Sequence, residues 1–560
     1  MADMVSRIYS GFRGVDFRGE EINLMRSPDA LNVWKDYHET ESIRTRPGLV
    51  LHHKFDNAVY GISEYNDLLM IHAGTQLFTM TRHKETAVLF EDMAQNLSQS
   101  FVFDDKFYIK DGKNYLQYDG TTIRQVVGYI PTTTIARKPA GGGTKYEDVN
   151  MLSDKRRNSF LADGVSFSFY LDVIDIDEDF VPIVKYNGSV VAQSEYNVDY
   201  AEGKITFISA PPEKPDTEGQ DNVTVEFKKS VPEYRAAIFG CDLLQVFDNR
   251  VFFSGNEEHP NVVWHCSLND PTYVSDLDYY REGMDSSKIN GLVAGNNALW
   301  VFREPSSANT TVFYHQPTID AEYGKIYPSA HSSITLGCVG RAINFGDDIV
   351  FFSSRGMEGI SGDITTEQAV AHRSSLVDRK MTREPGYKNM ILEEWEGYLM
   401  VFIGNKVYLA DSRTAFTMEN HTEYEWFYWE LERKVTCTFV MGGVLYLGCE
   451  DGSLCSLDHT DTYIKSYWVT PKDKFNNPHK LKTTNKRGCV AEATGDITVY
   501  AKTEKTDFEQ IGEYENVTDY FVSRIKRKKF KDIQLKFYST TRFSLETVTL
   551  ECFIGGYVKR

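Results

Sequence analysis

A chain of 560 residues is too long for one hydrophobic core, since single cores stop growing near about 250 to 300 residues, and several domains are expected. Hydrophobic residues reach 41% and aromatic residues 13%, enough for packed cores and biased toward pleated surfaces, where aromatic side chains fit better than on helices. A formal net charge of −19 excludes a protein that wraps nucleic acid with most of its surface, because phosphate binding needs Lys and Arg, yet it allows DNA to pass without adhering.

Residues 1–50 read as a polar, irregular arm, punctuated by Pro28 and by Pro47-Gly48 ahead of the first strand. Residues 51–130 turn to strand patterns at 60–65, 68–73 and 76–80, then at 100–103, 106–109 and 115–118, with Asp111-Gly112 and Asp119-Gly120 as turns. Residues 131–232 interrupt this. A flexible Gly141-Gly142-Gly143 stretch and a short looped or helical piece at 147–158 lead into a meander at 165–174, 180–186, 196–200, 204–208 and 222–228. This region is expected to be a connector and an inserted β-sandwich. Over 233–467 a hairpin signature recurs at 249–255, 297–302, 348–356, 397–405 and 443–457, roughly 40 to 50 residues apart, the period of four-stranded propeller blades. Residues 468–560 alternate again at 496–501, 532–537 and 547–553 and are expected to form a second sandwich. Helix is scarce, with one candidate at 374–381. The expected fold class is all-β: a β-propeller with an inserted small β-sandwich and a C-terminal β-sandwich.

An enzyme needs a nucleophile with its base, a metal cluster or a paired acid site. None stands out, and no catalytic, cofactor or metal site is expected. The eight cysteines are scattered without a Cys-x-x-Cys pair and read as reduced core residues. His52-His53 on a strand point to opposite faces and cannot share a metal. The acidic run from Asp172 to Asp179 begins like a calcium loop but lacks its glycine and closing glutamate, leaving an acidic hairpin as the plainer reading. Gly141-Gly142-Gly143 has no Gly-Lys-Ser or Gly-Lys-Thr after it and reads as a linker. The aromatics from Tyr424 to Trp429 match a sugar-stacking platform or, more simply, alternating blade core. Arg524, Lys526, Arg527, Lys528, Lys529 and Lys531 form the only dense basic run in an acidic chain. They are either a strand edge protected by charge or a patch for an acidic subunit or a nucleic-acid backbone. The N-terminus lacks the apolar core of a signal peptide and no run reaches the roughly 18 apolar residues of a membrane span, so folding in a cytoplasm without membrane insertion is expected.

Several segments taken in order resemble one family, the nozzle or tail tubular proteins of short-tailed bacteriophages and the related packaged-DNA stabilisation proteins. They are Ser27-Pro28-Asp29-Ala30-Leu31-Asn32-Val33-Trp34, Arg44-Thr45-Arg46-Pro47-Gly48, the stretch from Gly141 to Leu152 with Phe160-Leu161-Ala162-Asp163-Gly164, the stretch from Tyr196 to Phe207 with Ala210-Pro211-Pro212, the stretch from Phe530 to Phe537, and Gly556-Tyr557-Val558-Lys559. The resemblance implies a non-catalytic virion protein, a homohexameric ring beneath the portal and adaptor that retains packaged double-stranded DNA and forms the channel for its ejection. It implies assembly in the host cytoplasm and leaves the attachment of tail fibres open. Trp34, Arg44 and Arg46 are then the candidate assembly arm, and the basic run is the candidate contact to a neighbouring subunit or the DNA backbone. A glycan-binding propeller of a phage tail is the alternative.

Overall fold

The computed structural model describes residues 3–19, 22–36, 41–306, 310–321, 324–361, 369–418, 421–458, 463–526 and 529–557. Strand accounts for 54% of the chain and helix for 3%, so the fold is all-β. Among the described residues it contains seven four-stranded sheets of propeller-blade type, an inserted sandwich and a C-terminal sandwich whose strands form one nine-stranded sheet with Asp3–Ser10, Val33–Trp34 and Ile43–Thr45. The recurring hairpin signature marks the first turn and second strand of its sheets: Arg250–Ser254, Ala298–Arg303, Asp348–Phe352, Tyr398–Ile403 and Val444–Cys449. Each two-residue turn needs a positive φ at both positions if its twist is to match the strands. Asn, Asp and Gly supply it at Asn66-Asp67, Asp104-Asp105, Asp248-Asn249, Asn296-Asn297 and Gly442-Gly443. The spacing visible in the sequence is therefore the spacing of these turns.

The chain divides into two compact units, Met1–Leu97 with Phe302–Val312 and His331–Arg560, and Ser98–Val301 with Phe313–Ala330. In the first unit, the opening strands of consecutive sheets lie side by side in the order Ala342–Phe345, Ile391–Trp395, Val435–Met441 and Val59–Tyr65. The sheet opened by Val435–Met441 takes its fourth strand from the other end of the chain: Gly48–Lys54 pairs with Ser453–Asp458 in the register Leu457↔Leu49 and Ser456↔Val50. Pro47-Gly48 thus stands at the start of a closing strand.

The irregular-arm reading of residues 1–50 is corrected. Asp3–Ser10 pairs antiparallel with the last strand, Phe543–Tyr557, from Asp3↔Ile554 to Ser10↔Thr547, and Ile43 pairs with Leu545. Tyr9, Phe12, Val15, Trp34 and Ile43 are buried in one continuous core with three sheets of the first unit and the C-terminal sandwich. A run of short strands separated by turn residues hides this pattern, because each strand is too short to display alternation. Gly14, at φ +116, makes the crossing possible: a Cβ there would lie 2.1 Å from the carbonyl oxygen of Trp426.

In the second unit, strands opening at Gln99, Leu243 and Ile289 begin its sheets. The insert packs a six-stranded sheet against the three-stranded sheet Ser168–Tyr170, Lys204–Phe207 and Tyr196–Asp199 around Phe160, Phe169, Val184, Ile205, Val225 and Phe227. The looped piece expected at 147–158 ends in a strand, Lys155–Phe160. The helix candidate at 374–381 shrinks to Asp378–Met381, and the helix Pro232–Phe239, with Pro at its first turn, has too weak an apolar periodicity to declare itself in sequence.

Candidate functional site

The basic run lies between two strands of the C-terminal sandwich, Tyr520–Ser523 and Ile533–Ser539. Phe530 is its anchor. It is buried, and its backbone exchanges hydrogen bonds with Lys482 at 2.8 and 3.1 Å. Glu504, in the turn of a neighbouring hairpin, accepts the backbone N–H of Lys531 at 2.8 Å, and Lys505 donates to the Lys529 carbonyl at 3.3 Å. With the backbone held this way, Arg524, Lys526, Lys529 and Lys531 project into solvent. Arg527 and Lys528 lie outside the described residues. A small cleft of about 140 Å³ runs beneath Arg524 and Lys526, floored by Ile525, Ile511 and Phe530 and rimmed by Glu509 and Gln510.

Two further cations join this patch from a distant part of the sequence. The register Cys489↔Ser523 carries Gly488 against Arg524, so close that a Cβ on Gly488 would lie 2.7 Å from the backbone nitrogen of Ile525. The exposed Lys486 and Arg487 immediately precede that contact. Sequence reading passed over Lys486-Arg487-Gly488. The signal was a dibasic pair before a glycine, but nothing local connected it to residue 524. Residues 463–560 hold 19 Lys and Arg against 12 Asp and Glu, whereas the whole chain holds 61 against 80. The charge is segregated, with a cationic C-terminal sandwich in an otherwise strongly acidic chain.

The arm candidates are placed differently. Trp34 is 1% exposed, stacked on Trp395 at 5.7 Å and edge-on to Trp429 at 5.4 Å. Arg46 is also 1% exposed and donates to Asn32 Oδ1 at 3.0 Å, the Pro47 carbonyl at 2.8 Å, the Glu430 carbonyl at 3.1 Å and Glu432 Oε1 at 2.8 Å. Burial lowers the Arg46 pKa against the pull of Glu432. Neither side chain presents a surface to a second chain. Arg44 is half-buried with Asp36 at 3.4 Å. Arg26, missed in sequence, makes a two-pronged pair with the buried Glu425 at 2.7 and 2.8 Å.

The remaining motifs serve local structure. His52 bonds Ser456 Oγ at 2.7 Å, and the His53 ring lies 4.5 Å from that of Phe55. The acidic run expected as a hairpin is a stretch of bends and turns between the strands Ser168–Tyr170 and Ile183–Tyr186; Lys228 pairs with Asp177 and Asp179, and the Ser230 backbone N–H donates to Asp177 Oδ2 at 3.0 Å. Gly141, Gly142 and Gly143 all have positive φ, and Arg137 donates to the Gly142 carbonyl at 2.5 Å; the expected flexible linker is a tied turn. Trp426, Phe427, Tyr428 and Trp429 are core, as the plainer reading held, and all seven tryptophans are buried. Among the described residues no group of three or more His, Cys, Asp or Glu is placed to hold a metal, and no helix is long and apolar enough to cross a membrane.

One further cleft in the first unit is larger, about 650 Å³, lined by Tyr60, Asn96, Asn389, Asn405, Lys406 and Lys434 among others. Its cations are already paired, Lys406 with Glu384 and Lys434 with Glu450.

These observations define a class, an all-β propeller-type protein with a cationic C-terminal sandwich. No family model and no curated protein sequence matches the chain. Solved structures similar to it include propellers. BamB from Moraxella catarrhalis is 10% identical over 74% of this chain and 97% of that one, with a TM-score of 0.35. The Pan2 WD40 domain of Neurospora crassa is 9% identical over 75% and 95%, with a TM-score of 0.27. The computationally designed Ika8 protein is 11% identical over 73% and 99%, with a TM-score of 0.33. Such scores carry no argument.

Proposed function

We propose that this chain is a structural virion protein, a tail nozzle subunit of a short-tailed bacteriophage. In this reading, copies assemble as a ring, expected to be a hexamer, beneath the portal and adaptor, where the ring retains packaged DNA and forms the channel for its ejection. The observation that carries the reading is the segregation of charge, added to the family resemblance of the sequence. A closed ring uses heterologous contacts, so each subunit needs two unlike, complementary faces, and a cationic sandwich on an acidic chain supplies unlike faces. A conduit should also avoid tight phosphate binding, which suits a net charge of −19. No catalytic step is assigned to the chain. The test is the mass of the purified protein in solution, alone and with the portal and adaptor proteins. A ring of about six copies, formed alone or on the adaptor, is the expected result; a persistent monomer indifferent to both partners would remove the reading.

The glycan-binding alternative rests on one observation, the 650 Å³ cleft with its Tyr60 ring and asparagine side chains. It predicts sugar binding that is lost in Asn389→Ala and Asn405→Ala. The burial of every tryptophan weakens its stacking arm.

A further inference from the structure

We infer that the patch formed by Lys486, Arg487, Arg524 and Lys526 is one half of the contact between copies of this chain, docking on an acidic surface of the next copy. The inference rests on the ring reading above and gives it a specific interface.

Three features point there. First, the four side chains are exposed. Among the described residues none of them has a carboxylate partner within ion-pair distance, unlike Lys406, Lys434 and Lys228, each of which has one. Lysines and arginines left without counter-charges on a surface cost little in water, and they are the groups able to form new pairs when an acidic surface arrives. Second, the described backbone on either side of residues 527–528 is tied to the sandwich. Gly488 permits close backbone approach to Ile525, and the Lys531 N–H bonds Glu504 beside the buried Phe530. A held patch loses less freedom on docking than a loose loop. Third, a second copy of the chain carries the acidic groups that this patch could pair with. Outside residues 463–560, acidic residues outnumber basic ones 68 to 42. A cationic face on one end of the sequence and an anionic remainder attract head to tail, the arrangement that closes into rings. DNA is the competing polyanion: the acidic remainder that offers carboxylates to this patch on a second copy repels a duplex.

The experiment compares the wild type with the fourfold variant Lys486→Glu, Arg487→Glu, Arg524→Glu and Lys526→Glu by sedimentation velocity across a dilution series, at low and high salt. A control carries Arg124→Glu and Lys214→Glu, two exposed cations elsewhere. Circular dichroism and melting temperature verify that each protein is folded. If the fourfold variant fails to fold, the single variants Arg487→Glu and Lys526→Glu are read in its place. The expected result is a ring whose assembly concentration rises by on the order of tenfold or more in the variant, rises with salt in the wild type, and is unchanged in the control. Wild-type assembly that the variant matches would overturn the interface and leave the ring reading standing. A wild type that never assembles, with or without its adaptor, would overturn both. Tight binding of a 40-base-pair duplex near physiological salt, lost in the variant, with assembly intact, would assign the patch to nucleic acid instead.

Discussion

Arg46 illustrates how a polar residue can be central to an apolar core. Its guanidinium makes four hydrogen bonds, to two carbonyls, an amide oxygen and a carboxylate, at the junction where the N-terminal chain enters the last blade. Arg46→Met keeps the length and removes the donors, leaving buried acceptors unpaired, and should cost about 3 kcal/mol, read as a lowered urea midpoint. Trp34→Ala removes a ring packed on two other tryptophans and should cost about 3 to 5 kcal/mol in the same assay. His372 provides the pH dependence. It sits between Asp378 Oδ2 at 2.5 Å and Glu358 Oε1 at 3.1 Å. Burial alone would push its pKa down, but these two carboxylates outweigh burial and raise it to about 10. A pKa raised above the unfolded value means that the stabilisation is complete below about pH 6.5 and fades as pH climbs toward 10. His372→Gln should therefore be less stable than wild type at pH 6, and melting curves should show that gap closing by pH 10. A gap that widens with pH would refute the clamp.

The strand Gly48–Lys54 shows the same logic for an element. It supplies the fourth strand of a sheet whose other three lie some 400 residues later in the sequence, and the segment before it buries Tyr9, Phe12, Val15, Trp34 and Ile43. Removing residues 1–55 should thus do more than trim an arm. The shortened chain should be recovered aggregated or with exposed apolar surface that binds a hydrophobic dye, and a peptide of residues 1–55 added during refolding should restore the native circular dichroism. A soluble, cooperatively melting shortened chain would contradict the closure. Gly14→Ala tests one point of the same element, because a methyl group there meets the Trp426 carbonyl at 2.1 Å at a φ that side chains rarely adopt. A loss of about 2 kcal/mol or more is expected in the urea midpoint.

At the scale of the whole molecule the segregated charge sets the expected behaviour. Assembly that depends on a cationic sandwich should weaken as salt screens it, with a Debye length falling from about 10 Å at 0.1 M to about 3 Å at 1 M. Assembly that persists unchanged across that range would point to an apolar interface. Much of the fold was legible before any coordinates. Turn chemistry such as Asp248-Asn249 and Asn296-Asn297 is local, and its repetition sets the blade period, so the sequence alone determined the all-β class and the meander pattern, while for the aromatics at 426–429 it left blade core beside a stacking platform and the structure decided for core. The density of the basic run was likewise plain. What only the tertiary structure decided depends on partners far apart in the chain. Pairing of Asp3–Ser10 with Phe543–Tyr557, closure of a blade by Gly48–Lys54, burial of Trp34 and Arg46, and the approach of Gly488 to Arg524 each follow from a ladder register. No local propensity encodes such a register, because it is set by which buried faces fit together once the chain has folded.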